Sequence, residues 1–140
     1  MNNSNFRKVY KSINIAFMAI IVAIFALSVL YRWNIKPIPA LLTGKTGIVP
    51  PSKGLMQAFS EIVYGNFSKA LELNQFSLQV FCFFFIQLLF RGMLWWYTAK
   101  EKSRIKLVAY SDIVISTLLF IYCFYPLIRY TIFSLTNLHH

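Results

Sequence analysis

Three stretches of the chain are almost uninterruptedly apolar, and the segments between them are not. Residues 13–30 carry only Asn14 and Ser28 as polar interruptions. A bilayer span needs about 20 such residues at 1.5 Å each, and Tyr31, Arg32 and Trp33 supply an interfacial anchor, so the first span is placed at 13–33. Ala26, Leu27 and Ser28 loosely match a signal-peptidase site, but the apolar run continues past them, which favours an uncleaved signal-anchor. The second span, 76–98, is dense in Phe and ends on Trp95, Trp96 and Tyr97, an aromatic belt. The third, 107–128, has Tyr110, Ser111, Asp112, Ser116 and Thr117 near its start and Pro126 near its end.

Between the first two spans the pattern breaks. Pro37, Pro39, Gly44, Gly47, Pro50, Pro51 and Gly54 exclude a regular helix or strand. Leu55, Phe59, Ile62 and Val63 then recur at helical spacing, which predicts a short helix over 55–64 that Gly65 stops. Asn66 reads as the N-cap of a second, over 67–73. Both have polar sides, so neither spans; they are expected at the interface or packed on the bundle. The fold class is therefore an all-α integral membrane protein over residues 1–140, with three transmembrane helices and two short interfacial helices in the 34–75 connection.

Composition agrees. Of 140 residues, 58% are hydrophobic and 13% charged, about half the charge of a soluble domain, which leaves too little polar surface for a soluble globule. Lys and Arg number 14 against 4 Asp and Glu. On a soluble domain that +10 would point to nucleic acid; here the cations flank spans and meet phospholipid headgroups, so no nucleic-acid partner is expected. An N-terminus on the cytoplasmic side puts Arg7, Lys8, Lys11, Arg91, Lys100, Lys102, Arg104 and Lys106 inside, against Arg32, Lys36, Lys45, Lys53, Lys69 and Arg129 outside. That majority favours the N-in orientation.

The stretch from Thr46 to Ala58 is the most specific. Thr46, Gly47, Pro51, Gly54, Leu55 and Ala58 match in register the TG-x-x-CP-x-CG-x-TRA signature of a bacterial membrane family, domain of unknown function 2752, which the chain resembles. Gly65-Asn66, Ala70 and Asn74 follow at the family's distances, and the layout of one span before the motif and two after it agrees. The resemblance implies a bacterial inner-membrane protein. The family's two cysteines fall on Pro50 and Lys53, its Thr on Met56 and its Arg on Gln57. Proline and an ammonium neither bind metal nor do thiol chemistry, so this copy of the motif is read as degenerate, without metal or cofactor.

Four polar groups inside the spans are the candidate contacts. Arg91 and Asp112 fall at similar depth on antiparallel helices, either paired or reaching separately for headgroups. Gln79, Gln87 and Arg91 read as one stripe that joins helices or lines a water path. No Ser-His-Asp set or carboxylate pair is present, His139 and His140 stand alone at the end, and no catalytic residue is assigned. The expected function is a non-catalytic accessory subunit bound to other integral membrane proteins or to itself. The alternative is a membrane-active module, either a small pore or a bacteriocin-type immunity protein.

Overall fold

The computed structural model describes residues 3–31, 54–100 and 104–136. Thr46, Gly47, Pro50, Pro51, Lys53 and the Trp33 anchor lie outside the described residues. Among those described, the chain forms five helices and no strand: α1 Asn3–Tyr31, α2 Leu55–Val63, α3 Phe67–Leu73, α4 Ser77–Lys100 and α5 Ile105–Thr136. Three of them, α1, α4 and α5, are long and apolar enough to cross a membrane.

Two helices overrun the apolar runs that predict them. The polar residues before Ile13 continue α1, because Arg7 donates from Nη2 to the Thr98 carbonyl at 2.6 Å and to that of Ala99 at 3.1 Å. Those are end-of-helix carbonyls of α4 that lack intrahelical donors, so a cation from α1 caps them. At the other end α5 runs through Pro126 to Thr136. Proline lacks an N–H, so the carbonyl four residues before it loses its helical donor, while Thr131 Oγ1 donates to the Leu127 carbonyl at 2.8 Å just beyond.

The long helices pack along a seven-residue seam. Asn14, Ile21 and Ser28 are the buried positions of α1, and Val80, Gln87 and Leu94 recur at the same interval on α4. Such spacing keeps one stripe facing its neighbour along helices that cross at a shallow angle. α1 and α5 both run antiparallel to α4, as the contacts of Arg7 with Thr98 and of Gln87 with Ser116 require. The remaining circumference is exposed: Ile20, Leu89, Leu118 and Tyr122 are examples, Tyr122 at 81%.

The two short helices close into a hairpin. α2 ends in a Schellman turn: Asn66 N–H bonds the Glu61 carbonyl at 2.8 Å, Gly65 N–H bonds that of Ile62 at 2.9 Å, and Gly65 takes a φ of 82°. Asn66 does precede α3, but its side chain makes no cap bond. Its Nδ2 donates instead to Glu61 Oε2 at 2.8 Å, and Lys69 Nζ reaches the other oxygen of Glu61 at 2.9 Å, which ties the two helices together. Ala58 and Ala70 are fully buried where small residues let α2 and α3 approach. α2 packs on the bundle rather than standing off it: the Phe59 ring lies 5.4 Å from that of Phe81 and 6.3 Å from that of Phe84. Asn74 Oδ1 then accepts the Phe76 N–H at 2.9 Å, an Asx turn that starts α4.

Candidate functional site

Near the middle of α4 the three long helices bring their polar side chains to one place. Arg91 lies nine residues from the C-terminal end of α4, about 13 Å at 1.5 Å per residue, and its side chain turns into the bundle rather than towards that end. Its Nη1 donates to Asn14 Oδ1 at 3.0 Å and lies 3.5 Å from Asp112 Oδ2. Asn14 answers in kind, with Nδ2 donating to the Arg91 carbonyl at 3.0 Å. The guanidinium carbon also sits 4.5 Å from the centre of the Phe17 ring, a cation–π contact. Asp112 is 3% exposed and collects the rest of the cluster. Tyr10 donates its hydroxyl to Oδ2 at 2.9 Å, and Ser116 donates to Oδ1 at 3.1 Å. The Ser116 hydroxyl also lies 3.3 Å from Gln87 Oε1.

A carboxylate in an apolar surrounding needs its acceptor sites filled, and this one has a cation, a phenol and a hydroxyl on it. The contact with Arg91 is long and single, not the two-pronged form an Arg–carboxylate pair adopts when geometry allows. Asn14 explains why. Its amide holds the same Nη1 that faces Asp112, so the cation is shared between α1 and α5. One residue of α4 thus fastens both neighbours.

Of the four groups singled out from the sequence, three converge and one does not. Gln87, Arg91 and Asp112 belong to the cluster, whereas Gln79 is exposed beside Tyr122, Tyr125 and Pro126. Eight residues at 100° each rotate Gln79 about 80° away from Gln87, enough to turn it off the seam. The stripe of Gln79, Gln87 and Arg91 is therefore broken, and no common face presents all three. Tyr10, Asn14 and Ser116 carried no assigned role. A signal for Asn14 exists, since it stands in heptad register with Ser28, the other polar interruption of the apolar run 13–30. Ser116 is one helical turn from Asp112, the spacing at which side chains meet. Nothing in the sequence marks Tyr10.

Of the degenerate motif, Gly54 and Gln57 are within the described residues. Gly54 precedes α2 with φ 80°, and a Cβ there would come 2.6 Å from the Leu73 carbonyl oxygen. Gln57 is half-buried on α2. The two cysteines are free; Cys82 is exposed on α4 and Cys123 is buried on α5. Among the described residues no group of three or more His, Cys, Asp or Glu side chains is placed to hold a metal ion.

Asn14→Leu tests the shared bond directly. It removes two interhelical hydrogen bonds while keeping the branched shape of the side chain, and is expected to destabilise the bundle by about 1–2 kcal/mol. Reversible unfolding in detergent measures it. An unchanged midpoint would remove Asn14 from the cluster.

No family model, curated protein or solved structure matches the chain.

Proposed function

We propose that the chain is a multi-pass membrane protein of the bacterial inner membrane, with its N-terminus cytoplasmic, that serves as a non-catalytic accessory subunit of other integral membrane proteins. The observation that carries this reading is the closure of the polar cluster within one protomer. Intramembrane ionisable groups cost ~2.5–3.5 kcal/mol each on insertion scales, so they face protein, water or a partner. Arg91 and Asp112 face Asn14, Tyr10, Ser116 and each other. Their role is then to hold three helices in register, and function falls to the exposed flanks. A pore needs Gln79, Gln87 and Arg91 around a common axis; with Gln87 turned into the bundle, the geometry supports the accessory reading better.

Orientation rests on the cations at the end where α1 begins and α4 ends. Lys8 and Arg104 are exposed there, and Lys100 lies 4.0 Å from the centre of the Trp96 ring, as an interfacial cation and its belt aromatic do. Taking Arg91 out of the flanking charges leaves seven inside against six outside. Three positions of the resemblance to domain of unknown function 2752 have packing roles in this chain. Gly54 has no room for a side chain, and Ala58 and Ala70 are the small residues that the hairpin crossing needs. On that resemblance, Pro50 and Lys53 leave the motif without its thiols.

Size measurement after gentle extraction from the native membrane tests the proposal. The chain is expected to travel with at least one other membrane protein, in constant ratio and above its own 16.3 kDa plus detergent. A lone monomer with nothing co-purifying contradicts it.

A further inference from the structure

Beyond Pro126 the end of α5 and the start of α4 border an open groove of about 880 Å³. Its walls are apolar and aromatic, formed mainly by Phe76, Tyr125, Tyr130 and Phe133, and its polar rim includes Gln75 and Arg129. The Phe76 and Tyr130 rings, 5.6 Å apart, bridge the two helices. Arg129 is exposed, and among the described residues none that lines the groove is acidic. It lies on the helix end opposite the Arg7–Thr98 cap, where α1 reaches Tyr31 and α4 begins. On the membrane reading proposed above, that is headgroup level, with the groove's lower wall at acyl depth.

We infer that this groove binds one anionic phospholipid, its phosphate held by Arg129 and an acyl chain laid along Phe76, Tyr125 and Pro126. Charge selects the occupant. A guanidinium pairs with a phosphate diester through parallel N–H···O bonds. Both headgroups carry that phosphate, but a zwitterion's own ammonium offsets its charge, so a lipid of net negative charge gains more from Arg129, the one cation among the described lining residues. Its wall residues also suit a chain better than a helix: Tyr125 and Tyr130 are amphipathic rings with a polar tip for the interface and an apolar body for the lipid.

The test uses the full chain purified in mild detergent and exposed to equimolar phosphatidylglycerol and phosphatidylcholine, with retained lipid counted by native mass spectrometry. Phosphatidylglycerol is expected to be retained at least fivefold over phosphatidylcholine, with about one lipid per chain. Arg129→Gln is expected to abolish the preference, while Arg104→Gln, at the other end of α5, leaves it intact. Phe133→Ala should weaken retention of both lipids. Equal retention of the two lipids, or a preference that survives Arg129→Gln, overturns the inference, as does a co-purifying protein that crosslinks to Tyr130 in place of lipid. Carbonate extraction of the same variants separates the two claims. A chain that stays in the membrane pellet yet shows no lipid preference contradicts the groove alone, and one that is released contradicts the membrane reading.

Discussion

Asp112→Leu is expected to destabilise the bundle by about 3–5 kcal/mol, because it leaves the Arg91 guanidinium buried without its counter-charge. Arg91 has an 11% exposed side chain, so water cannot take the carboxylate's place without opening the seam. Arg91→Met is expected to cost a similar amount for the mirror-image reason. The double variant Arg91→Met/Asp112→Leu should lose much less than the two singles together, since it buries no charge. The Tyr10 hydroxyl would then lack its acceptor and Asn14 Oδ1 its donor, which keeps the double below wild type. A thermodynamic cycle from unfolding in detergent measures the coupling. Strictly additive losses would show that the two groups do not act as a pair.

The second large effect belongs to Gly54. Alanine at this position meets two penalties at once. The left-handed φ of 80° costs an L-residue about 1–2 kcal/mol. The new methyl also comes 2.6 Å from the backbone oxygen of Leu73, which is the last residue of α3 and has no freedom to withdraw without moving the helix. Gly54→Ala is therefore expected to open the α2–α3 hairpin and lift Phe59 off Phe81 and Phe84. Gly65→Ala provides the comparison. It has almost the same φ, 82°, with open space around the missing side chain, so only the same conformational cost of about 1–2 kcal/mol applies. Limited proteolysis should cut the hairpin of the Gly54 variant many times faster than that of the Gly65 variant. Equal rates would place the hairpin's closure elsewhere.

The helices were legible because their signals are local. An apolar run of some 20 residues, a glycine after the last apolar position and an amphipathic repeat depend on nothing distant, and α2 and α3 appear within one residue of the expected bounds. The ends of α1 and α5 were not legible for the opposite reason. Residues before Ile13 look like a polar tail until Arg7 finds the carbonyls of Thr98 and Ala99, 91 and 92 residues away in sequence.

The same contrast runs through the site. Residue type alone marks Arg91 and Asp112 as groups that must be answered. Which side chains answer them depends on how three helices are rotated about their axes. Asn14 and Tyr10 therefore come into view only once the seam is known, and Gln79 drops out when the 80° offset from Gln87 turns it outward. The heptad recurrence of Asn14 and Ser28 was the one long-range clue written in a single helix.

Topology mapping tests the three-span account most directly. With Cys82 and Cys123 replaced by alanine, single cysteines at Ser4, Ser52 and Ser103 are labelled in intact cells with a membrane-impermeant thiol reagent. Ser52 is expected to react from outside, and Ser4 and Ser103 only after the membrane is opened. Labelling of Ser52 and Ser103 from the same side would contradict it.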